Sequence, residues 1–125
     1  MRPLVSIVIL NWNRKDLIRN CLQSIQETDY PNYEIIVIDQ GSSDGSVDML
    51  ERDFPGIILL RNKKNVGYAN GKNQGFRKAR GKYIYMLDND TLIVHKEWLS
   101  NVVKVAESDD TVSYTHLTLP TTPYV

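Results

Sequence analysis

Four short apolar runs, separated by stretches of helical periodicity, constrain the fold of this chain more than any other feature. The runs are rich in Val and Ile and span seven residues or fewer, which is typical of strands buried on both faces of a sheet. The stretches between them place apolar residues three and four positions apart, as amphipathic helices do. We therefore predict one α/β unit in which a mainly parallel sheet is flanked by helices.

The bounds of these elements follow from the apolar pattern and from the Pro and Gly residues that interrupt it. The predicted strands are Leu4–Leu10, Glu34–Ile38, Ile57–Leu60 and Tyr83–Leu87. The predicted helices are Lys15–Gln26, Val47–Phe54, Tyr68–Ala79 and Glu97–Ala106. Asn13 is a candidate N-cap of the first helix.

The composition excludes several classes of protein. Fifteen Lys and Arg balance fifteen Asp and Glu, so no excess charge favours a nucleic acid or an anionic membrane as partner. The single Cys21 excludes an internal disulfide framework and a cysteine-built metal site. No apolar run approaches the roughly 20 residues of a transmembrane helix, and the amino terminus is a poor signal peptide, so we expect a cytoplasmic protein.

Polar residues follow each predicted strand, where ligands of parallel α/β sheets bind. These groups are Asn11–Arg14, Asp39–Asp44, Asn62–Gly67 and Asp88–Asp90. Polar loops are common in any protein, so this pattern alone leaves a binding site and ordinary loops equally open.

The Asp88–Asn89–Asp90 sequence (a DxD motif) is the sharpest chemical feature. In extended backbone two residues that are two positions apart point the same way, so we expect the carboxylates to converge. Hard oxygen ligands suit Mg²⁺ or Mn²⁺, which would also take oxygens from a bound diphosphate. The alternative is that these residues only form a turn.

Glycines between the third and fourth strands invite comparison with a phosphate-binding P-loop. Gly67 and Gly71 are separated by three residues instead of four, and Asn73 follows Lys72 where Ser or Thr is required, so the sequence does not favour a Walker-type nucleotidase. Gly67, Gly71 and Gly75 recur every four residues. On a helix they form one small face that permits close backbone approach.

Taken together, four motifs resemble the amino-terminal, nucleotide-sugar-binding half of the inverting family 2 glycosyltransferases, which have the Rossmann-like GT-A fold. The motifs are VSIVILNWNR at 5–14, EIIVIDQGSSDGS at 34–46, NVGYANGKNQGF at 65–76 and GKYIYMLDNDT at 81–91. The resemblance implies sugar transfer, as in polysaccharide biosynthesis, from a UDP- or dTDP-sugar to an acceptor hydroxyl, with Mg²⁺ or Mn²⁺ as cofactor. In the full-length protein it implies a glycan or a lipid-linked acceptor, at the cytoplasmic face of the membrane.

The resemblance also assigns roles by position. It implies that Trp12 stacks under the nucleobase, that Asp39 contacts the base or ribose, and that Lys72 lies near the donor. The implied nucleotide-sugar-binding residues are Asn11, Trp12, Asn13, Asp39, Lys72 and Asp88; the implied metal ligands are Asp88 and Asp90, of which Asp90 is the main one. Gln40 departs from the family pattern, because many members carry a second acidic residue there.

The family's general base comes from the acceptor half, well beyond the DxD motif, and no residue here matches it, so we name no catalytic residue. We expect a truncated domain over residues 1–110 that does not turn over alone. Residues 111–125 have five Thr, two Pro and no charged side chain, which predicts either a foreign end or a Thr/Pro-rich linker. A non-catalytic nucleotide-sugar-binding module stays open. A nucleotidyltransferase-like enzyme is less favoured, because Asn11–Arg14 contains no glycine.

Overall fold

The structure is a computed structural model that describes residues 2–108 and the backbone of residues 117 and 118. The predicted boundary between residues 110 and 111 lies outside the described residues. Nearly all of the uncharged tail lies outside them as well. Among the described residues, none of the helices has the length and apolar character needed to cross a membrane.

Every predicted strand and helix is present, with ends that shift by a few residues. The strands are β1 Val5–Asn11, β2 Tyr33–Asp39, β3 Ile58–Arg61, β4 Tyr83–Leu87 and β5 Leu117–Thr118. The helices are α1 Lys15–Ile25, α2 Ser46–Asp53, α3 Tyr68–Lys78 and α4 Trp98–Ser108. Only the two-residue strand β5 was not predicted.

All strand pairs in the sheet are parallel, in the order β3-β2-β1-β4-β5. The chain builds outward from β1 to β3 and then returns to the other side of β1 with β4. The order therefore reverses between β1 and β4, and in open α/β sheets the crevice at such a reversal is where ligands bind. Asn11 lies opposite Asp39 in register at this end of the sheet.

Helices cover both faces of the sheet, which explains why the strand sequences are apolar without alternation. On one face, helices α1, α2 and α4 pack on inward-facing strand residues that include Ile7, Ile9, Val37 and Tyr85. On the other face, helix α3 covers Val8, Ile36, Ile38, Ile84 and Met86. The predicted α/β class with a mainly parallel sheet is confirmed.

The predicted glycine face of α3 is confirmed for Gly71 and Gly75. A Cβ atom at Gly75 would lie 2.5 Å from Val8 Cγ1, and one at Gly71 would lie 2.4 Å from Gln40 Nε2. These glycines thus let the α3 backbone rest directly on the sheet. Gly67 differs, since it precedes the helix at a φ of 91° and a Cβ atom there would have nothing within 4 Å.

The amino-terminal edge of the sheet has a polar network of its own. The Ser6 hydroxyl donates to the Glu34 carboxylate at 2.6 Å and accepts from the Gly81 N–H at 2.9 Å. The Arg80 guanidinium pairs with Glu34 at 3.1 Å. Burial opposes ionisation of Glu34, but the hydrogen bonds from Ser6 and Arg80 outweigh it and lower the pKa of Glu34. The polar groups of this network therefore satisfy one another by hydrogen bonds and an ion pair.

Candidate functional site

Asn11 and Asp39 form the centre of the site, at the carboxyl ends of the neighbouring strands β1 and β2. Each residue is 1% exposed. The Asn11 amide donates to Asp39 Oδ1 at 3.1 Å. Ser42 completes the arrangement, because its hydroxyl donates to Asp39 Oδ1 at 2.7 Å and its N–H donates to Asp39 Oδ2 at 2.9 Å. The Asp39 carboxylate is thus buried and held in a fixed orientation.

Asn13 does not cap helix α1, contrary to the prediction. Its backbone is left-handed, with φ at 52°, a conformation that Asn tolerates better than most residues. In this conformation its N–H donates to Ser42 Oγ at 2.9 Å and its Oδ1 accepts from the Ser43 N–H at 2.7 Å. Asn13 therefore joins the loop after β1 to the loop after β2.

The cap of α1 comes instead from the loop after β2. The Lys15 N–H donates to Asp44 Oδ2 at 2.9 Å. Burial opposes ionisation of Asp44, but hydrogen bonds from Ser46 and from the Lys15 backbone outweigh it and lower the pKa of Asp44. One carboxylate thereby satisfies the first turns of two helices, α1 and α2.

The DxD motif follows β4 and is a turn, not the extended backbone that we predicted. The Thr91 N–H donates to the Asp88 carbonyl at 3.1 Å and closes this turn. Asp88 and Asp90 nevertheless line one cavity of about 250 Å³. Burial and the charge of Asp90 raise the pKa of Asp88. The two carboxylates therefore repel each other, and a cation between them would relieve that repulsion.

Two contacts hold this turn in place from within the protein. The Asn89 amide donates to Asn11 Oδ1 at 3.1 Å. The Cys21 thiol, on the buried face of α1, donates to the Asp88 carbonyl at 3.8 Å. Burial, together with the charges of Asp90 and Asp88, raises the pKa of Cys21 to about 12. Cys21 is consequently a protonated core residue, as its position on the apolar helix face predicted.

Trp12 and Lys72 lie at the margins of the site. Trp12 directly follows Asn11 and is 51% exposed, so its ring offers apolar surface to a ligand. Lys72 Nζ lies 5.6 Å from the centroid of the Tyr68 ring, and Tyr68 lines the same cavity as Asp88 and Asp90. Lys72 thus borders the carboxylate cavity through an intervening aromatic ring.

Gln40 holds the loop between β3 and α3. Its Nε2 donates to the Gly67 carbonyl at 3.0 Å, and its Oε1 accepts from Asn62 Nδ2 at 2.9 Å and from the Val66 N–H at 3.3 Å. The side chain is 3% exposed. The Gln40 amide therefore holds the segment that leads to Tyr68 in place. Gln40 is also the position at which this sequence departs from the pattern that it resembles.

The structure brings Asn11, Asn13, Asp39, Asp88 and Asp90 to one edge of the sheet, as predicted. A second cavity of about 440 Å³ lies beside Asp39 on the side of β3 and has Arg61 and Lys63 in its lining. Sequence reasoning missed Ser42, Asn89 and Tyr68. Both Asn89 and Ser42 were within recognised motifs. Ser42 contacts Asp39 three positions away in the chain, whereas the contact of Asn89 with Asn11 depends on the strand order.

The sequence of this chain is similar to those of known glycosyltransferases. The sequence model of one family, Glycosyl transferase family 2, matches residues 6–118. The chain is 39% identical over 110 residues to the uncharacterized glycosyltransferase YfnE of Bacillus subtilis (strain 168), a match that covers 84% of this chain and 27% of YfnE. It is 31% identical to the putative colanic acid biosynthesis glycosyl transferase WcaA of Escherichia coli (strain K12), covering 98% of this chain and 43% of WcaA.

A solved structure also shares the fold. The mannosyltransferase PcManGT from Pyrobaculum calidifontis, in complex with GDP-Man and Mn²⁺, aligns with a TM-score of 0.81 and 30% identity over 89% of this chain and 34% of its own. The GT-A fold prediction is thereby confirmed. The chain spans about a quarter to two-fifths of the length of these proteins.

Proposed function

Because this chain belongs to Glycosyl transferase family 2, we propose that it is the nucleotide-sugar-binding part of an enzyme that transfers a sugar from a nucleoside diphosphate to an acceptor hydroxyl, with inversion. One observation carries the proposal: the Asp88 and Asp90 carboxylates line a single cavity at the point where the strand order reverses. Among the described residues neither carboxylate has a hydrogen bond or ion pair with another residue. Their oxygens are therefore available to a ligand.

The carboxylate pair fits a divalent cation. The raised pKa of Asp88, caused by burial and by Asp90, marks a repulsion that Mg²⁺ or Mn²⁺ would remove. Within residues 2–108, no cluster of three or more His, Cys, Asp or Glu side chains surrounds a metal position. Asp90, assisted by Asp88, would thus hold a cation that keeps positions open for diphosphate oxygens, as Mg²⁺ and Mn²⁺ sites do. Such a cation neutralises the charge that develops on a diphosphate leaving group.

The other predicted residues would bind the remainder of the donor. We propose that Trp12 stacks on the nucleobase, with Asn13 setting the conformation of the loop beneath it. Asp39, beside the second cavity, would accept hydrogen bonds from the base or ribose, and Lys72 would supply positive charge near the diphosphate. UDP- and dTDP-sugars are the donors that we predict. GDP-mannose joins them, because PcManGT, 30% identical to this chain, was solved with it.

Deprotonation of the acceptor hydroxyl requires a general base, and we assign that role to no residue of this chain. The proposal is that the base and the site for a glycan or lipid-linked acceptor belong to the acceptor half, at the cytoplasmic face of the membrane. This chain would then bind the donor without transferring it.

Isothermal titration calorimetry tests the proposal. UDP-, dTDP- and GDP-sugars are titrated into the chain with and without Mn²⁺. We expect at least one donor to bind, and to bind at least tenfold more weakly without the metal or with Asp90→Asn. Failure of all three donors to bind would refute the proposed function.

Asp53→Asn is the matched control. Asp53 is an exposed carboxylate at the end of α2, beside the opening residues of β2 at the opposite edge of the sheet. Its substitution removes the same charge and is expected to leave donor affinity unchanged. Transfer or donor hydrolysis at a rate typical of enzymes would show that a base is present and would contradict the predicted inactivity.

A further inference from the structure

A series of side-chain hydrogen bonds runs across the ends of three strands, and we call it the strand-end relay. It consists of Asn89 after β4, Asn11 at the end of β1, Asp39 at the end of β2, and Ser42 in the following loop. The Asn89 amide donates to Asn11 at 3.1 Å, and the Asn11 amide donates to Asp39 at 3.1 Å. The relay crosses the reversal point in the strand order, where the carboxylate cavity opens.

The chemistry of the groups fixes the direction of the relay. A carboxylate can only accept, so Asn11 must present its NH₂ group to Asp39. Its carbonyl oxygen then faces β4 and can only accept, so Asn89 must present its own NH₂ group. Asn11 is 1% exposed and both of its polar groups are engaged. Its NH₂ group also donates to Ser42 Oγ at 3.5 Å, so both of its donor hydrogens are used within the protein.

The relay also determines where the metal-site carboxylates lie. Asn89 stands between Asp88 and Asp90 in the turn that the Thr91 N–H closes. The hydrogen bond of the Asn89 side chain to Asn11 holds the backbone of the turn from which the two flanking carboxylates extend. A turn with a restrained backbone binds a cation more tightly, because less conformational freedom remains to be lost.

We propose that Asn11 is a positioning residue that couples the Asp39 side of the site to the Asp88–Asp90 pair. This replaces the direct donor contact predicted for Asn11, and it rests on the proposed function. In this role Asn11 transmits a change at the metal site through Asp39 to Ser42, whose N–H donates to Asp39 Oδ2 at 2.9 Å. Among the described residues, no hydrogen bond joins Asn89 directly to Ser42.

Titration with Mg²⁺ alone, followed by ¹⁵N NMR of the backbone amides, tests the coupling. In the wild-type chain we expect Mg²⁺ to shift the amide signals of Asp90 and of Ser42. In Asn11→Ala we expect the dissociation constant for Mg²⁺ to rise about fivefold to tenfold, the equivalent of one net hydrogen bond. The Ser42 shift should disappear while the Asp90 shift remains.

Asn89→Ala breaks the relay at its other end and serves if Asn11→Ala does not fold, because Asn89 is only half-buried. It should reproduce both effects, and the double variant should be no worse than either single one. Ser6→Ala is the control for general loss of stability: it removes a fully buried hydroxyl and its hydrogen bonds at the opposite edge of the sheet.

The outcomes separate this inference from the proposed function. A wild-type chain that binds neither Mg²⁺ nor any nucleotide sugar overturns both. A wild-type chain that binds Mg²⁺, with unchanged affinity and an unchanged Ser42 shift in Asn11→Ala and Asn89→Ala, overturns only the relay. Equal losses of affinity in Ser6→Ala and Asn11→Ala would likewise overturn it, since they would reflect stability alone.

Discussion

Gln40→Glu replaces one nitrogen of a buried side chain with oxygen and tests what holds the loop before α3. The shape of the side chain is unchanged, so packing is conserved. The contacts from Asn62 and Val66 also survive, because both donate to Gln40 Oε1. The contact to the Gly67 carbonyl, 3.0 Å away, changes from a hydrogen bond to a repulsion between two oxygens.

The magnitude follows from burial. At 3% exposure water cannot replace the lost donor. The Gly67 carbonyl keeps its hydrogen bond from the Gly71 N–H at 3.0 Å, so the lost contact costs about 0.5–1.5 kcal/mol. The introduced negative charge adds a desolvation cost, which the Asn62 and Val66 donors partly offset. We expect a net loss of about 2–3 kcal/mol at pH 7. With a urea m-value of about 1.5 kcal/mol/M, the unfolding midpoint falls by about 1.3–2 M.

The pH dependence identifies the cause. Burial and the facing carbonyl raise the pKa of the introduced carboxyl above its unfolded value of about 4.3. The destabilisation is therefore complete at pH values above this raised pKa. It shrinks as the pH falls below that pKa and disappears only below about 4.3, where the carboxyl is protonated in both states and donates to the Gly67 carbonyl in the folded one. Urea unfolding of Gln40→Glu and wild type at pH 5 and pH 7 measures the change.

Gln40→Met provides the matched control. It has a similar shape but removes all three hydrogen bonds of the Gln40 side chain and introduces no titratable group, so its stability loss should not depend on pH. A Gln40→Glu variant as stable as wild type at pH 7 would refute the reasoning. A loss of the same size at pH 5 and pH 7 would show that the Gly67 contact is not its source.

Three further predictions concern stability. Gly75→Ala should lower the free energy of unfolding in urea by about 1 kcal/mol, because overpacking against the sheet outweighs the gain of about 1 kcal/mol in helix preference. Gly56→Ala is the control and should be neutral, since a Cβ atom there would have nothing within 4 Å. The pKa of Cys21 is raised from 9.0 to about 12, so folding stability should fall as the pH rises from 9 to 12, and Cys21→Ala should lack that part of the decline. In the metal-free protein Asp90→Asn should raise Tm at pH 7, and by less as the pH falls through the raised pKa of Asp88; an unchanged Tm would argue against repulsion.

The elements of this fold could be predicted from the sequence because each depends on residues near one another in the chain. The apolar run at Tyr83–Leu87 was assigned without change, and the glycine spacing of α3 correctly indicated a close approach to the sheet. The prediction for Asn13 was wrong for the opposite reason. The N–H groups of α1 are capped by Asp44, 29 residues from Lys15, and no local pattern reports a partner at that distance.

The candidate site shows the same limit. The DxD motif was recognisable, but the contact between Asn89 and Asn11 joins residues 78 positions apart. It exists because β4 lies beside β1 and not beside β3, an order that the alternation of strands and helices leaves open. The turn at Asp88–Asp90 was missed because the alternation rule of a strand was extended past the end of β4.

The hydrogen bonding of the polar groups at the carboxyl ends of the strands indicates where a ligand would bind. Asn11, Asp39 and Gln40 are buried at the carboxyl edge of the sheet, and each has protein partners. Burying them therefore costs little. Asp88 and Asp90 line the cavity beside this network. Burial and the charge of Asp90 raise the pKa of Asp88, so the two carboxylates repel each other in the unliganded protein. A cation bound between the two carboxylates would remove this repulsion and so gain binding free energy from it.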